Sequence, residues 1–444
     1  MKCADIRLHT SHLRLLFLVV TTLVAPRVAW PQTVSQRGFV EGRALLFPQE
    51  APNDRTRPVA DFLVREELFV KIRPWLQFAG GVDFRANSHD QVENDWRIDL
   101  SDRSARRPHV SVRRLAATIT HGRFTVDVGK QFIRWGKADI VNPTDRFAPR
   151  DFLNVVDNEF LAVAGARGVA QASDTDTLEV VWLPRFTPSR VPLFDQRWTV
   201  VPAAAQGLSI VDAGAALPGG SQTGARWSHV GAGFEYSLSF FNGFNHLPNI
   251  ESFALIGSFD VGVVGSPGGL VISAPSTLVF SEFLVGRAYP AIRTYGADAA
   301  VPTPWFTIKG ETAYFTSRSP TTDEYVLYVV QLERQTGEWV FVGGYAGEEV
   351  TNRRAAATFA PDRGTTRSVV GRASYTIDLN RSLAFETAVR QNGAGAYLKA
   401  EYSQAHGQHW RATATGALIG GEPGDFLGQY RRNSHVSLAL RYSF

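Results

Sequence analysis

The last ten residues of the chain, 435–444, read HVSLALRYSF and predict a β-strand that is apolar on one face only. Every second residue carries a large apolar side chain: Val436, Leu438, Leu440, Tyr442 and Phe444. The positions between them are small or polar: Ser437, Ala439, Arg441 and Ser443. This period of two is typical of a half-buried strand. It recurs in earlier segments: residues 76–85, 124–129, 368–378 and 383–390.

Such strands fit either a soluble sandwich with its apolar face inside or a membrane barrel with its apolar face outside. Long segments and alternating short and long connections favour the barrel. Trp75, Trp305, Trp339 and Trp410 each follow a short turn, as an interfacial girdle requires. The sequence therefore predicts an all-β transmembrane antiparallel β-barrel of about 18 strands, with about 16 as the alternative, short periplasmic turns and long outer loops.

The composition excludes several other classes of protein. The 444 residues include 46 basic and 42 acidic ones, and a net charge of +4 is too small to indicate nucleic-acid binding. Cys3 is the single cysteine, so the body of the protein has no disulfide and no cysteine-based metal site. The sequence contains no P-loop, no nucleophile elbow and no zinc motif, so we expect no enzyme, no cofactor and no metal.

The N-terminus has the pattern of an export signal. Lys2, Arg7 and Arg14 precede a short apolar run over residues 15–25, which is too short for a membrane-spanning helix. We expect a signal peptide over residues 1–30, with cleavage somewhere within 25–32, followed by a single barrel over 31–444. An uncleaved membrane anchor is the alternative.

Charged residues of both signs occupy the polar faces of the predicted strands, among them Arg43, Arg65, Lys309 and Glu311. On a lipid-facing surface each basic one would cost roughly 2–4 kcal/mol near the bilayer midplane, so these faces are predicted to point into the lumen. Such charges either line a channel and select solutes or pair with one another and fill the interior.

One segment is unusually dense in charged and aromatic residues. Residues 128–160 read VGKQFIRWGKADIVNPTDRFAPRDFLNVVDNEF. Pro143 and Pro149 stiffen the part over 136–158, which combines seven acidic or basic residues with aromatic ones. We expect this loop to lie at least partly inside the barrel and to narrow it; an ordered outer loop is the alternative. The candidates for lining or narrowing the lumen are Arg43, Arg65, Arg85, Asp127, Lys130, Gln131, Arg134, Asp139, Asp145, Arg146, Arg150, Asp151, Lys309, Glu311, Arg372, Glu386 and Arg390.

This segment resembles a block found in a poorly characterised family of bacterial outer-membrane porin-like β-barrel channels. The block consists of Gly-Arg/Lys-Gln, then Trp-Gly, Asn-Pro and Asp, and it matches Gly129-Lys130-Gln131, Trp135-Gly136, Asn142-Pro143 and Asp145. Lys130 stands where Arg is more usual. Residues 178–190 are similar to the hairpin that follows in the family. The resemblance implies a porin-like barrel, and some members are suspected of moving hydrophobic compounds; it supplies no ligand residue.

The function expected from these features is that of an outer-membrane channel for passive passage of small solutes. Hydrophobic or aromatic compounds are one option, because the loops over 191–222 and 245–290 are rich in apolar residues. The alternative is a plugged structural or adhesive barrel. The expected partners are outer-membrane lipid and lipopolysaccharide, small-molecule solutes, and the barrel-assembly machinery acting on the C-terminal strand that ends at Phe444.

Overall fold

A computed structural model describes residues 33–200, 209–256, 262–266, 269–273, 280–354 and 357–444. The expected signal peptide over 1–30 and its cleavage region over 25–32 lie outside these residues. Within the described part of the chain, no helix is long and apolar enough to cross a membrane.

Eighteen antiparallel strands form one closed ring. In chain order they are β1 (Thr33–Leu46), β2 (Pro58–Arg73), β3 (Leu76–Asn87), β4 (Val110–His121), β5 (Phe124–Gln131), β6 (Val163–Gln171), β7 (Asp176–Leu183), β8 (Gln222–Gly231), β9 (Phe234–Phe244), β10 (Ala291–Pro302), β11 (Thr307–Ser317), β12 (Glu324–Thr336), β13 (Trp339–Asn352), β14 (Ser368–Thr376), β15 (Arg381–Arg390), β16 (Gly395–His406), β17 (Trp410–Gly421) and β18 (His435–Ser443). The ring closes because β1 pairs with both β2 and β18, with Phe39 opposite Ser443 and Leu46 opposite Val436. The prediction of an all-β antiparallel barrel of about 18 strands is confirmed.

The two ends of the barrel differ in the length of the connections between strands. Turns of a few residues join the strands at one end, here called the turn end, where Gly122, Gly233, Gly337 and Gly407 adopt positive φ. The longest connections, 88–109, 132–162, 184–221 and 245–290, lie at the other end, the loop end. Short additional elements occur in the loops: strands Ile98–Asp99, Arg150–Asp151, Glu159–Phe160, Ser209–Ala216, Asn249–Ile256, Gly262–Ser266, Gly269–Ser273, Phe280–Ala288 and Ala357–Thr358, helix Pro361–Gly364 and 3-10 helix Gly428–Asn433.

The outer surface of the barrel is apolar. The alternating residues of the C-terminal strand point outward, and Leu438 at its centre is 66% exposed. Exposed apolar side chains continue around the ring on β3, β5, β7 and β12, among them Phe78, Val126, Val180 and Val330. Trp75, Trp305 and Trp410 are exposed at the turn end. The molecule is therefore inverted relative to a soluble sandwich, because its apolar strand faces are outside.

The buried apolar core lies inside the ring. Ile133, Trp135 and Phe147 of the connection 132–162 pack against inward-facing residues of several strands, including Leu183 and Phe241. Phe147 meets the rings of Trp135 and Phe241 edge to face at centroid distances of 5.0 Å. This connection thus folds onto the inner wall of the barrel.

Candidate functional site

Residues 132–162, here called the inner loop, cross the interior of the barrel. On β11, the Glu311 carboxylate accepts hydrogen bonds from the backbone N–H groups of Lys137 and Ala138 at 3.0 Å and from that of Thr144 at 2.8 Å. At the other end of the loop, Asp157 accepts a hydrogen bond from Lys399 of β16 at 2.7 Å. Strands β11 and β16 are separated along the ring, so a single segment reaches both of them only through the lumen.

Arginines of the wall bind the last part of the inner loop. Glu159 accepts a hydrogen bond from Arg85 at 2.7 Å and from Arg65 at 3.2 Å, and lies 3.7 Å from Arg113. Burial alone would raise the pKa of Glu159, but the attraction of these three guanidinium groups outweighs it and holds the pKa well below its usual range. Burial of Asp157 is likewise outweighed by Lys399 and Arg43, which lower its pKa. Both carboxylates therefore stay ionised at neutral pH and keep the loop attached to the wall.

A buried ionic network joins the inner loop to its neighbours. Arg190 lies between Asp102 at 2.7 Å and Asp151 at 3.2 Å. Lys130 pairs with Asp102 at 2.6 Å, and Arg107 pairs with Asp151 at 2.8 Å. Removal of one member would leave an uncompensated buried charge, which is strongly destabilising. Lys130 and Asp151, both predicted as candidates for the lumen, serve in this network.

The motif that the sequence singled out shapes the start of the inner loop. The Asp145 carboxylate accepts hydrogen bonds from the backbone N–H groups of Trp135 at 2.6 Å and Gly136 at 2.7 Å. A Cβ atom on Gly136 would lie 2.8 Å from the Cβ of Asn142, so a larger residue does not fit there. The Trp135 indole N–H donates to Glu179 at 2.6 Å. The Trp-Gly, Asn-Pro and Asp positions thus form one compact turn.

The other predicted candidates have partners in the protein as well. Each pair is given with its distance: Arg43–Asp157 3.6 Å, Arg65–Asp83 2.7 Å, Asp127–Arg167 3.4 Å, Gln131 to the Gly165 carbonyl 3.4 Å, Arg134–Asp145 3.4 Å, Asp139–Lys309 3.1 Å, Arg146–Asp362 3.9 Å, Arg150–Asn158 3.0 Å, Arg372–Glu386 3.9 Å and Arg390–Asp425 2.9 Å. Glu311 and Gln131 are buried, whereas Arg134, Arg372 and Glu386 remain accessible.

A cavity of about 770 Å³ lies between the inner loop and the wall toward the turn end. Five arginines and two glutamates border it, together with aromatic rings: Arg37, Arg65, Arg113, Arg114, Arg134, Glu67, Glu159, Phe39, Phe132 and Phe160. The guanidinium carbons of Arg113 and Arg114 lie 4.7 and 5.2 Å from the centre of the Phe132 ring. The excess of fixed positive charge favours anions in this space.

Arg113 and Arg114 were not predicted from the sequence as candidates for the lumen. Strand β4 contains a β-bulge: Gly81 of β3 lies opposite Arg114 and Val82 lies opposite Val112, which leaves Arg113 unpaired. A bulge breaks the alternation of faces, so two successive arginines border the same cavity. The adjacent pair Arg-Arg in an otherwise alternating strand is the signal that could have indicated it.

Among the described residues, no group of three or more His, Cys, Asp or Glu side chains is placed to hold a metal ion.

Among the comparisons with known proteins, only the comparison of structures found similar chains. No protein-family model matches the chain, and no curated protein matches it. A BenF-like porin from Pseudomonas fluorescens Pf-5 is similar over 93% of this chain and 98% of that chain, with a TM-score of 0.52 and 9% identity. OccAB4 from Acinetobacter baumannii covers 93% of this chain and 99% of its own at 10% identity and a TM-score of 0.49. The outer membrane protein opdK from Pseudomonas aeruginosa covers 92% and 98% at 8% identity and a TM-score of 0.49. At 9% identity, the similarity to the BenF-like porin shows the fold alone, which is that of a porin.

Proposed function

We propose that the protein is an outer-membrane channel of the porin type, through which small solutes pass passively. The observation that carries the proposal is the cavity of about 770 Å³ inside a barrel whose outer surface is apolar. An apolar outer band suits lipid, and a charged interior suits water and solutes. The porin fold supports the same interpretation.

The arginine-rich border of the cavity favours anionic solutes, and its phenylalanine rings favour hydrophobic or aromatic ones. Lumen-lining roles fall to the accessible candidates, such as Arg134, Arg372 and Glu386. The buried candidates, such as Lys130, Asp151 and Glu311, hold the inner loop in place.

A plugged structural or adhesive barrel is the second candidate function. The dense pairing of the inner loop with the wall, through Glu311, Asp157 and Glu159, is the observation that favours it. In either case we propose export by the N-terminal signal over 1–30, contact with outer-membrane lipid and lipopolysaccharide, assembly through the strand that ends at Phe444, and no catalytic activity.

Liposome swelling tests the proposal. Liposomes that contain the folded protein should swell in isotonic sugars, amino acids and sodium salts of aromatic acids, with the aromatic anions faster than sugars of similar mass. Protein that is boiled before reconstitution is the control, because it keeps the composition and loses the barrel. Swelling no faster than in the control for every solute, from protein that still shows a heat-sensitive gel mobility, would favour the plugged barrel.

A further inference from the structure

A second cavity, of about 240 Å³, lies inside the barrel toward the loop end and is bordered largely by apolar side chains. The inner loop borders it on one side through Phe152 and Val156, and strands β14 to β17 border it on the other. The connection 422–434 covers it with Leu427 and Tyr430.

The wall of this cavity departs from the polar inner face that is normal for a porin. Val370 of β14 and Ala388 of β15 are buried and border the cavity. On the same inward faces, two residues closer to the turn end, β14 carries Arg372 and β15 carries Glu386. On β14 and β15 the inner wall therefore changes from charged to apolar between successive inward-facing residues.

Packing of the inner loop does not account for the whole of this apolar surface, because the space between the loop and the wall is not filled. Protein interiors are normally packed with few voids larger than a water molecule. An engineered apolar cavity of about 150 Å³ in another protein is large enough to bind benzene. A cavity of about 240 Å³ has room for one substituted aromatic ring.

Polar groups stand at the border of the cavity. The side chains of Arg372 and Glu386 are 49% and 44% exposed, and their closest charged atoms are 3.9 Å apart, so both retain free hydrogen-bonding capacity. Three more charged residues border the cavity, and each has a partner in the protein: Asp139 pairs with Lys309, Arg150 with Asn158 and Asp362 with Arg146. The Arg372 donor and the Glu386 acceptor beside the apolar surface match a ring with a single polar substituent.

We propose that this cavity binds one monocyclic aromatic solute, with the ring among Phe152, Val156, Val370 and Tyr397 and its polar substituent toward Arg372 and Glu386. The biological role of this site rests on the proposed function, because the site would hold a solute during its passage through the barrel. The chemical class of the bound solute is inferred from the cavity alone.

Equilibrium dialysis of benzyl alcohol against the folded full-length protein in detergent tests the site. Val370→Phe fills the cavity, whereas Val369→Phe adds the same ring to the outer surface, where Val369 is 59% exposed and Val370 1% exposed. We expect saturable binding to the wild type and to V369F, and at least about a tenfold loss in V370F. Val370→Thr keeps the volume, places a hydroxyl group in the apolar wall and should weaken binding, with Val369→Thr as its control.

Equal binding to V370F and V369F, or saturation by the similarly sized sugar arabinose in place of benzyl alcohol, would overturn the proposal. Benzoate and benzylamine in parallel dialyses show whether a negative or a positive substituent is preferred at Arg372 and Glu386. Dialysis requires no open pore. A protein that binds benzyl alcohol but gives no liposome swelling would contradict the proposed function and leave this site standing.

Discussion

At the scale of single residues, the selectivity of the lumen depends on where each charge finds its partner. Arg65 and Arg85 are largely satisfied by Asp83 and Glu159. Among the described residues, Arg113 has one ion pair, to Glu159 at 3.7 Å, and both Arg113 and Arg114 face the Phe132 ring in the cavity toward the turn end. A bulge in β4 brings these two less neutralised charges together. They are the best-placed residues to set the ion preference of the cavity.

Replacement of Arg113 and Arg114 by Gln should therefore shift the channel toward cations. We expect the chloride-to-potassium permeability ratio, measured as a reversal potential across a salt gradient, to fall by about twofold or more in the double variant. Arg123→Gln is the control, because Arg123 lies at the turn end, exposed, and pairs with exposed Asp174 outside the cavity. A double variant with the same reversal potential as the wild type and R123Q would show that these arginines do not face the conducting path.

Sequence periodicity predicted which charges face inward but could not predict which of them remain accessible. Glu311 has the expected spacing, and Lys130 and Asp151 belong to the charge-dense segment 128–160, yet all three are buried by the inner loop and its neighbours. Their burial depends on contacts between residues far apart in the sequence, and a local periodicity carries no information about such contacts. Arg113 was missed because a bulge interrupts the alternation on which the prediction rests.

At the scale of elements, the strands were predicted because alternation with an apolar face is a strong local signal. Pro143 predicts a stiff turn after Trp135-Gly136, but the sequence does not show what holds the turn together. The structure supplies the physical reason, because the backbone N–H groups of Trp135 and Gly136 donate hydrogen bonds to Asp145. The seam between β1 and β18 was not visible in the sequence beyond the pattern of the last strand. It extends one residue past β18, because Gly38 and Phe444 exchange backbone hydrogen bonds of 3.0 Å.

Replacement of Phe444 by Ser should reduce assembly of the barrel. The Phe444 side chain is 47% exposed on the outer surface beside Gly38, so it contributes apolar area at the seam and the terminal aromatic group of the last strand. We expect a lower heat-modifiable fraction in outer-membrane preparations. Val436→Ser is the control, since it removes an exposed outward residue from the other end of the same strand. Equal levels of F444S and wild type would remove the support for a role of the terminal residue.

In the whole molecule, the usual arrangement of a soluble protein is inverted, because the outer surface of the barrel is apolar. The buried core lies inside the ring, where the inner loop packs against the wall. The inner loop supplies both the buried cluster around Phe147 and the carboxylates that meet the wall. These contacts fix it across the lumen between β11 and β16. We propose that solutes pass this loop on their way through the barrel and that the loop narrows their path.

Single-channel recording in planar lipid bilayers tests whether the inner loop narrows the conducting path, by comparison of the wild type with a variant that lacks residues 138–156. The deletion removes the middle of the inner loop and leaves all eighteen strands, and retained heat-modifiable mobility on a gel is the check that the barrel still forms. We expect discrete openings for the wild type and larger conductance steps for the folded deletion variant at the same salt concentration. Silence of the wild type, or equal conductance of the two proteins, would contradict this proposal.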